Sequence, residues 1–233
     1  MFYLCKVSYI LHIETATKNC SVAIGKSGSL VALKELYAEN FSHSEQLHVF
    51  IQKALQEANI EMEALDAVAV SKGPGSYTGL RIGVAAAKGI CFALELPLIG
   101  INSLQILAEK YSALEKALLF PMFDARRMEV YVMVLDEYKQ LVKPTFNEVI
   151  TSNSFEALPN DIPWIFMGEG ALKCQKELVA PHIQYRTDIG YPSAQEMVGL
   201  AWQSYQKKEF EDVAYFEPFY LKDFYTTANK KGV

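Results

Sequence analysis

The sequence has no run approaching the ~20 apolar residues that span a bilayer. Its most apolar stretch, Gly79–Leu94, is interrupted by Arg81 and Lys88, so a membrane-spanning reading fails. An excess of positive charge is also missing: 22 Lys and Arg face 27 Asp and Glu, for a net charge of −5. A chain that grips nucleic acid unaided displays a broad basic face, because release of counterions from phosphates supplies most of the non-specific affinity. The basic clusters here are only Arg126–Arg127, Lys207–Lys208 and Lys230–Lys231, so any work on nucleic acid is expected to be shared with a partner. The four cysteines (Cys5, Cys20, Cys91 and Cys174) form no C-x-x-C pair and have no histidine at ligand spacing. They read as buried thiols in a reducing compartment. The opening residues, MFYLCKVSY, carry Lys6 after a short apolar stretch and no cleavage-site pattern, which leaves the cytoplasm as the expected location. Low-complexity segments and 20–50-residue repeats are lacking, which excludes a solenoid.

Catalytic signatures are equally scarce. No G-x-S-x-G, H-E-x-x-H or Walker A sequence occurs. His43 and His48 are five residues apart, about 140° around a helix, so they cannot share a metal as an i, i+4 pair does. His12 and His182 each stand alone. A nuclease needs a carboxylate cluster holding two metals, yet the strand where a second acid is wanted ends in Ser71-Lys72.

What is present is a chain of 233 residues, 51% hydrophobic and 21% charged, enough to build a real core. The first hundred residues parse as strands Tyr9–Ile13, Ser21–Gly25 and Leu30–Glu35. An S-x-x-E capping box at Ser42 and Glu45 then opens a helix whose Leu47, Phe50, Ile51, Ala54, Leu55 and Ala58 recur at helical spacing. There follow a strand at Ala67–Ser71, a helix at Gly79–Leu94, a strand at Leu98–Ile101 and a helix at Ser103–Ser112. The remainder repeats this βββαβαβα order more faintly. Strands are expected at Leu118–Phe123, Glu129–Leu135, Leu141–Ile150, Trp164–Met167 and His182–Tyr185. Ser154–Ala157 gives at most a short helix, with further helices at Ala171–Val179 and Ser193–Lys207. The expected fold class is therefore α/β with two tandem units, residues 1–104 and 105–233. This order resembles the actin/Hsp70/sugar-kinase (ASKHA) superfamily of actin-like ATPase folds, whose halves are each ribonuclease-H-like.

Two segments could carry chemistry. Glu14-Thr15-Ala16-Thr17 ends the first strand, at the position where that superfamily places an acid and small hydroxyl residues facing a nucleotide's phosphates and metal. Hydroxyl and backbone donors suit an anion and the carboxylate suits a cation. The superfamily's acid is usually Asp, and Glu14 is one methylene longer. The alternative is that Thr15 and Thr17 satisfy turn backbone groups. The second segment, Gly73-Pro74-Gly75-Ser76-Tyr77-Thr78, lies between a strand and a helix. It reads either as an anion-facing loop or as a turn with an N-cap from Ser76 or Thr78. In the helix that follows, Gly79, Gly83, Ala86, Ala87 and Ile90 form a stripe of mostly small side chains, with Leu80, Ile82, Val84, Phe92 and Leu94 on the other sides. A helix apolar nearly all round must be covered on more than one side; either the chain's own first helix and C-terminal segment or a second protein is expected against it, with Arg81 pairing across such a contact or reaching water.

The segments ILHIETATKNCSVAIG, FSHSEQLHVFIQKAL, AVSKGPGSYTGLRIGVAAAKGICFAL and INSLQILA resemble the TsaB (YeaZ) family, in the glycoprotease-like branch of that superfamily. FDARRMEVYV, MGEGA and EPFYLKD fit more loosely. The likeness runs from about Ser8 to near the end. It implies a non-catalytic subunit of the machinery that makes N6-threonylcarbamoyladenosine at position 37 of tRNAs reading codons that begin with A. The partners implied are a TsaD-type catalytic paralogue, forming a heterodimer, and a TsaE-type ATPase, with tRNA met indirectly through the complex. The paralogue's H-x-x-x-H metal motif has no counterpart in Asn102–Lys110, so no metal or catalytic residue is expected here. No cofactor is expected in the isolated chain, and ATP or ADP would associate at the level of the complex. The family pairs through its first two helices, here His43–Ala58 and Gly79–Leu94. Leu47, Ile51, Gly79, Leu80, Arg81, Gly83, Ala86, Ala87 and Ile90 are the corresponding interface candidates, and the same sticky face would allow a homodimer. The competing readings are a stand-alone nucleotide-binding kinase or ATPase using Glu14 and the glycine-rich loop, and a peptidase, which lacks any activated nucleophile here.

Overall fold

Ten strands and five helices follow the expected order in the computed structural model, which describes residues 7–38, 43–112 and 115–221, with only the backbone of His43. The capping box at Ser42 lies outside the described residues. The first half comprises β1 (Tyr9–Glu14), β2 (Asn19–Lys26), β3 (Ser29–Tyr37), α1 (His43–Ala58), β4 (Leu65–Gly73), α2 (Tyr77–Leu94), β5 (Leu98–Asn102) and α3 (Ser103–Ala108). The second comprises β6 (Leu118–Asp124), β7 (Glu129–Leu135), β8 (Leu141–Val149), β9 (Trp164–Met167), α4 (Glu169–Cys174), β10 (Ile183–Arg186) and α5 (Met197–Lys207).

The two sheets run β3-β2-β1-β4-β5 and β10-β9-β6-β7-β8. In each, the half's first strand is antiparallel to its second and parallel to its fourth. The same topology thus occurs twice, as the tandem ribonuclease-H-like order requires, and the fold is of the actin-like ATPase class. One helix is missing from the repeat: where α1 precedes β4, residues 152–157 form only turns before β9, within the bound of at most a short helix at Ser154–Ala157.

Period-two side-chain alternation divides each sheet between two cores. On the first sheet, Leu11, Ile13, Val22, Ile24, Val68 and Val70 pack beneath α1 and α2. Its opposite face, with Ile10, Ala23, Ala67, Ala69 and Ile99, is covered by Met197, Val198 and Ala201 of α5. On the second sheet, Phe120, Val132 and Phe166 pack with Ala171 and Cys174 of α4. The other face, with Leu119, Met133 and Ile165, is covered by Leu104, Leu107 and Ala108 of α3. Each half's last helix therefore seals the other half's sheet.

Several helix limits differ from those expected. α2 starts two residues earlier than Gly79 because Ser76 caps it, its hydroxyl accepting from the Gly79 N–H at 3.3 Å. The shorter α3 stops at Ala108, and α4 and α5 begin at Glu169 and Met197. By length and hydropathy alone α2 could cross a membrane. Here it is the crossover between the parallel strands β4 and β5, with Leu80, Val84 and Cys91 buried.

Candidate functional site

Glu14 closes β1 and is fully buried, facing the α5 side of the sheet. Its Oε1 accepts the Ala16 N–H at 2.6 Å, while Oε2 has no hydrogen-bond partner among the described residues. Burial pushes the carboxyl up to about 7, against smaller opposing effects from the Ala16 N–H and Ser71. Thr15 is also fully buried and Thr17 nearly so. The Thr15 hydroxyl donates to the Gly79 carbonyl at 2.8 Å, and its N–H donates to Ser71 Oγ at 3.3 Å. Instead of opening toward solvent, the acidic turn is sutured to the start of α2.

The glycine-rich loop closes over that turn from above. Ser76 N–H donates to the Ala16 carbonyl at 2.6 Å, so the chain's own oxygen occupies a donor that an anion would otherwise use. Gly75 has no room for a side chain, because a Cβ there would overlap the Ala16 carbonyl. Gly73, at φ +108°, sits where a Cβ would come within 2.7 Å of the Phe219 carbonyl, and its N–H donates to Ser103 Oγ. Pro74 is buried and the Gly73–Pro74 bond is cis. Tyr77 and Thr78, expected in the loop, form the first turn of α2. The structure therefore brings Glu14, Thr15 and the loop together, as a packed joint.

The faces of α2 are distributed differently from the expected stripe. Gly79, Leu80, Gly83, Val84, Ala87 and Cys91 are buried within the chain, and so are Leu47 and Ile51 of α1, in the core beneath both helices. Leu47, Ile51, Gly79, Leu80, Gly83 and Ala87 are therefore enclosed by the chain's own packing instead of being presented on its surface. The reason is close approach: a Cβ on Gly83 would collide with Thr15 Oγ1. Facing outward on α2 are Thr78, Arg81, Ala85, Gly89, Phe92 and Ala93, with Ile82, Ala86 and Ile90 half-buried. Phe92 is 84% exposed, and a Cβ added at Gly89 would have nothing within 4 Å of it. Ile82, Ala85, Ala86, Gly89 and Ile90 join Ser44 and His48 of α1 around an open groove of about 460 Å³. Three of the interface candidates, Arg81, Ala86 and Ile90, lie on this outer side.

The segment after α5 returns along α2, so the chain's own C-terminal segment, one of the covers expected for this helix, lies against it. Glu211 N–H donates to the Leu98 carbonyl at 2.8 Å, pairing with β5's free edge, and Phe216 enters the first core. Lys88 Nζ donates to the carbonyls of Ala214 (3.1 Å) and Phe216 (2.9 Å). Arg81 lies 4.3 Å over the Tyr77 ring and donates through Nε to the Tyr220 hydroxyl at 3.3 Å. Both cations of α2 are thus used within the chain. No group of three or more potential metal ligands occurs among the described residues. Burial pushes the Cys20 and Cys91 thiols up to about 12 and Cys174 to about 11, which keeps them protonated and inert.

Residues 39–230 match the family described as TsaD, tRNA N6-adenosine threonylcarbamoyltransferase. The chain is 28% identical to the tRNA threonylcarbamoyladenosine biosynthesis protein TsaB of Escherichia coli (strain K12), over 92% of this chain and 94% of that one. It is 30% identical to the TsaB of Bacillus subtilis (strain 168), over 91% and 93% respectively. Similarity to the tRNA N6-adenosine threonylcarbamoyltransferase of Ligilactobacillus salivarius is higher, 42%, but covers 42% of this chain and 33% of that enzyme. Among solved structures, YeaZ from Pseudomonas aeruginosa aligns with a TM-score of 0.79 at 25% identity, covering 92% of this chain and all of that one.

Proposed function

Because the chain belongs to the TsaB (YeaZ) family of tRNA threonylcarbamoyladenosine biosynthesis proteins, we propose that it acts as a non-catalytic subunit in forming N6-threonylcarbamoyladenosine at position 37 of tRNA. In this reading it pairs with a TsaD-type paralogue that performs the transfer, a TsaE-type ATPase joins them, and tRNA is met through the assembly. The observation that carries the reading is the apolar side of α2 that the described residues leave uncovered, where Ile82, Ala85, Ala86, Gly89 and Phe92 are accessible beside the groove with α1. Small residues there allow a second backbone to come close, and burying apolar surface drives association. Without the paralogue, the same face would pair two copies of this chain.

The buried joint at Glu14 supports the accessory role. Its hydroxyl and backbone donors already have internal acceptors, so the isolated chain is expected to bind ATP or ADP weakly or not at all. Nucleotide belongs to the assembled complex. Co-purification with a TsaD-type protein tests the pairing: wild type should be retained, and Ala86→Arg should be lost while keeping its melting temperature. Equal retention of a folded Ala86→Arg chain would contradict it, as would rapid ATP turnover by the chain alone, which would favour an independent kinase or ATPase.

A further inference from the structure

At the tip of the β6–β7 hairpin, Arg126 and Arg127 hold consecutive positive φ angles of 68° and 51°. They are the one adjacent pair of non-glycine residues in that region among the described residues. Two such positions in a hairpin turn are met at lowest cost by Asn-Gly, because an ordinary Cβ is crowded there. The chain instead places two long cationic side chains at the tip, and both are exposed.

The tip is firmly held from below. Asp124 Oδ1 accepts the Arg126 N–H at 2.6 Å, and Ala125 N–H donates to the Glu129 carbonyl at 3.0 Å. Lys173 of α4 reaches Asp124 Oδ1 (2.5 Å), the Arg127 carbonyl (2.8 Å) and the Glu129 carbonyl. Lys173 thereby takes up the charge of Asp124. Neither Arg126 nor Arg127 has an ion-pair partner among the described residues. The duplication sharpens the contrast. Asp124 closes β6 as Glu14 closes β1, each accepting the N–H two residues on at 2.6 Å. The first turn is buried under the glycine-rich loop, and the second stands free.

We propose that the Arg126–Arg127 tip contacts the phosphate backbone of RNA, an inference that rests on the tRNA-modification role above and names where this subunit meets the substrate. The guanidinium fork matches phosphate oxygens, and such contacts require charge and reach more than surrounding surface. A protein interface needs an apolar centre, whereas between Ala125 and Glu129 the tip exposes only Met128, at 38%. In a chain of net charge −5, a free arginine pair on a fixed hairpin is a localised point of attraction for a polyanion. Contacts of this kind set position and carry no sequence preference.

The test is the double variant Arg126→Asn/Arg127→Gly, which suits the backbone and should fold at least as well as wild type. Wild-type and variant complexes with the TsaD-type paralogue are titrated with unmodified tRNA across a KCl series. The slope of log Kd against log [KCl] is expected to fall by about 2, roughly one per lost phosphate contact, to a similar extent for tRNAs of different sequence. Unchanged affinity and slope in the folded variant complex would overturn the proposal, and so would salt-independent tRNA binding by the wild type. Loss of paralogue binding in the variant would also overturn it, by assigning the tip to a protein contact. If the wild-type chain fails to assemble, it is the functional reading that falls. The tip is then judged by the same titration on the isolated chain.

Discussion

Thr15 Oγ1 occupies the space that a side chain on Gly83 would require, and it donates a 2.8 Å hydrogen bond to the Gly79 carbonyl one helical turn earlier. Gly83 thus lets α2 descend onto the β1–β2 turn. It serves an internal joint.

Gly83→Ala is accordingly expected to destabilise the monomer by about 1–3 kcal/mol, through overpacking of a tight interior. Combining it with Thr15→Ala should recover part of that loss, giving a non-additive double-mutant cycle. Denaturant unfolding of the four proteins measures it. Full stability of Gly83→Ala together with lost partner binding would return Gly83 to the outer face.

The opposite glycine behaves in the opposite way. Gly89 lies mid-helix with open space where a Cβ would stand. Gly89→Ala is expected to stabilise the isolated chain by up to about 1 kcal/mol, from helix propensity and a less flexible unfolded chain. Gly89→Arg should melt near the wild-type temperature yet fail to bind the paralogue. Thermal melts and co-purification separate the two effects.

These contrasts mark what the sequence made legible. Strand periodicity located nearly every strand, and the spacing of Leu47, Phe50, Ile51, Ala54 and Leu55 marked α1 as an amphipathic helix, whose limits His43–Ala58 followed from the family resemblance. The orientation of α2 was not legible, because small residues line both its sides: Gly79, Gly83 and Ala87 within, Ala85, Ala86 and Gly89 without. The recurrence of Leu80, Val84 and Cys91 was the usable signal for the inner face. The all-round apolar character of α2 pointed to the C-terminal segment as one possible cover, but the contacts that hold it there, such as Lys88 with Phe216, and the crossing of α3 and α5 onto the opposite sheets join residues far apart in the chain. No local pattern encodes these.

Glu14 gives stability a pH dependence of definite sign. Its folded-state value, raised from an ordinary 4.5 to about 7, means that the folded chain holds this proton more tightly than the unfolded one. The stabilisation is complete below about pH 4.5 and is lost as pH rises through 7, by about 3 kcal/mol at 1.36 kcal/mol per unit. His12 acts in the other direction. Burial lowers it from 6.5 to about 4, so its contribution is present above pH 6.5 and lost on acidification toward 4. Glu14→Gln should therefore be more stable than wild type at pH 8 and show little advantage at pH 4.5. Urea unfolding of both proteins at the two pH values checks the difference.

Lys88 anchors the returning segment through two carbonyls. Lys88→Met should cost about 1 kcal/mol of stability and release residues 208–221 to early proteolytic cleavage. Limited proteolysis followed by mass spectrometry reads the order of cuts.

The division of labour is tested most directly by reconstituting tRNA modification with purified components and quantifying N6-threonylcarbamoyladenosine. The chain alone should make none. The wild-type chain with the TsaD-type and TsaE-type proteins should restore it, and folded Ala86→Arg should not. Modified nucleoside formed by this chain unaided, or full activity with Ala86→Arg, would contradict the account.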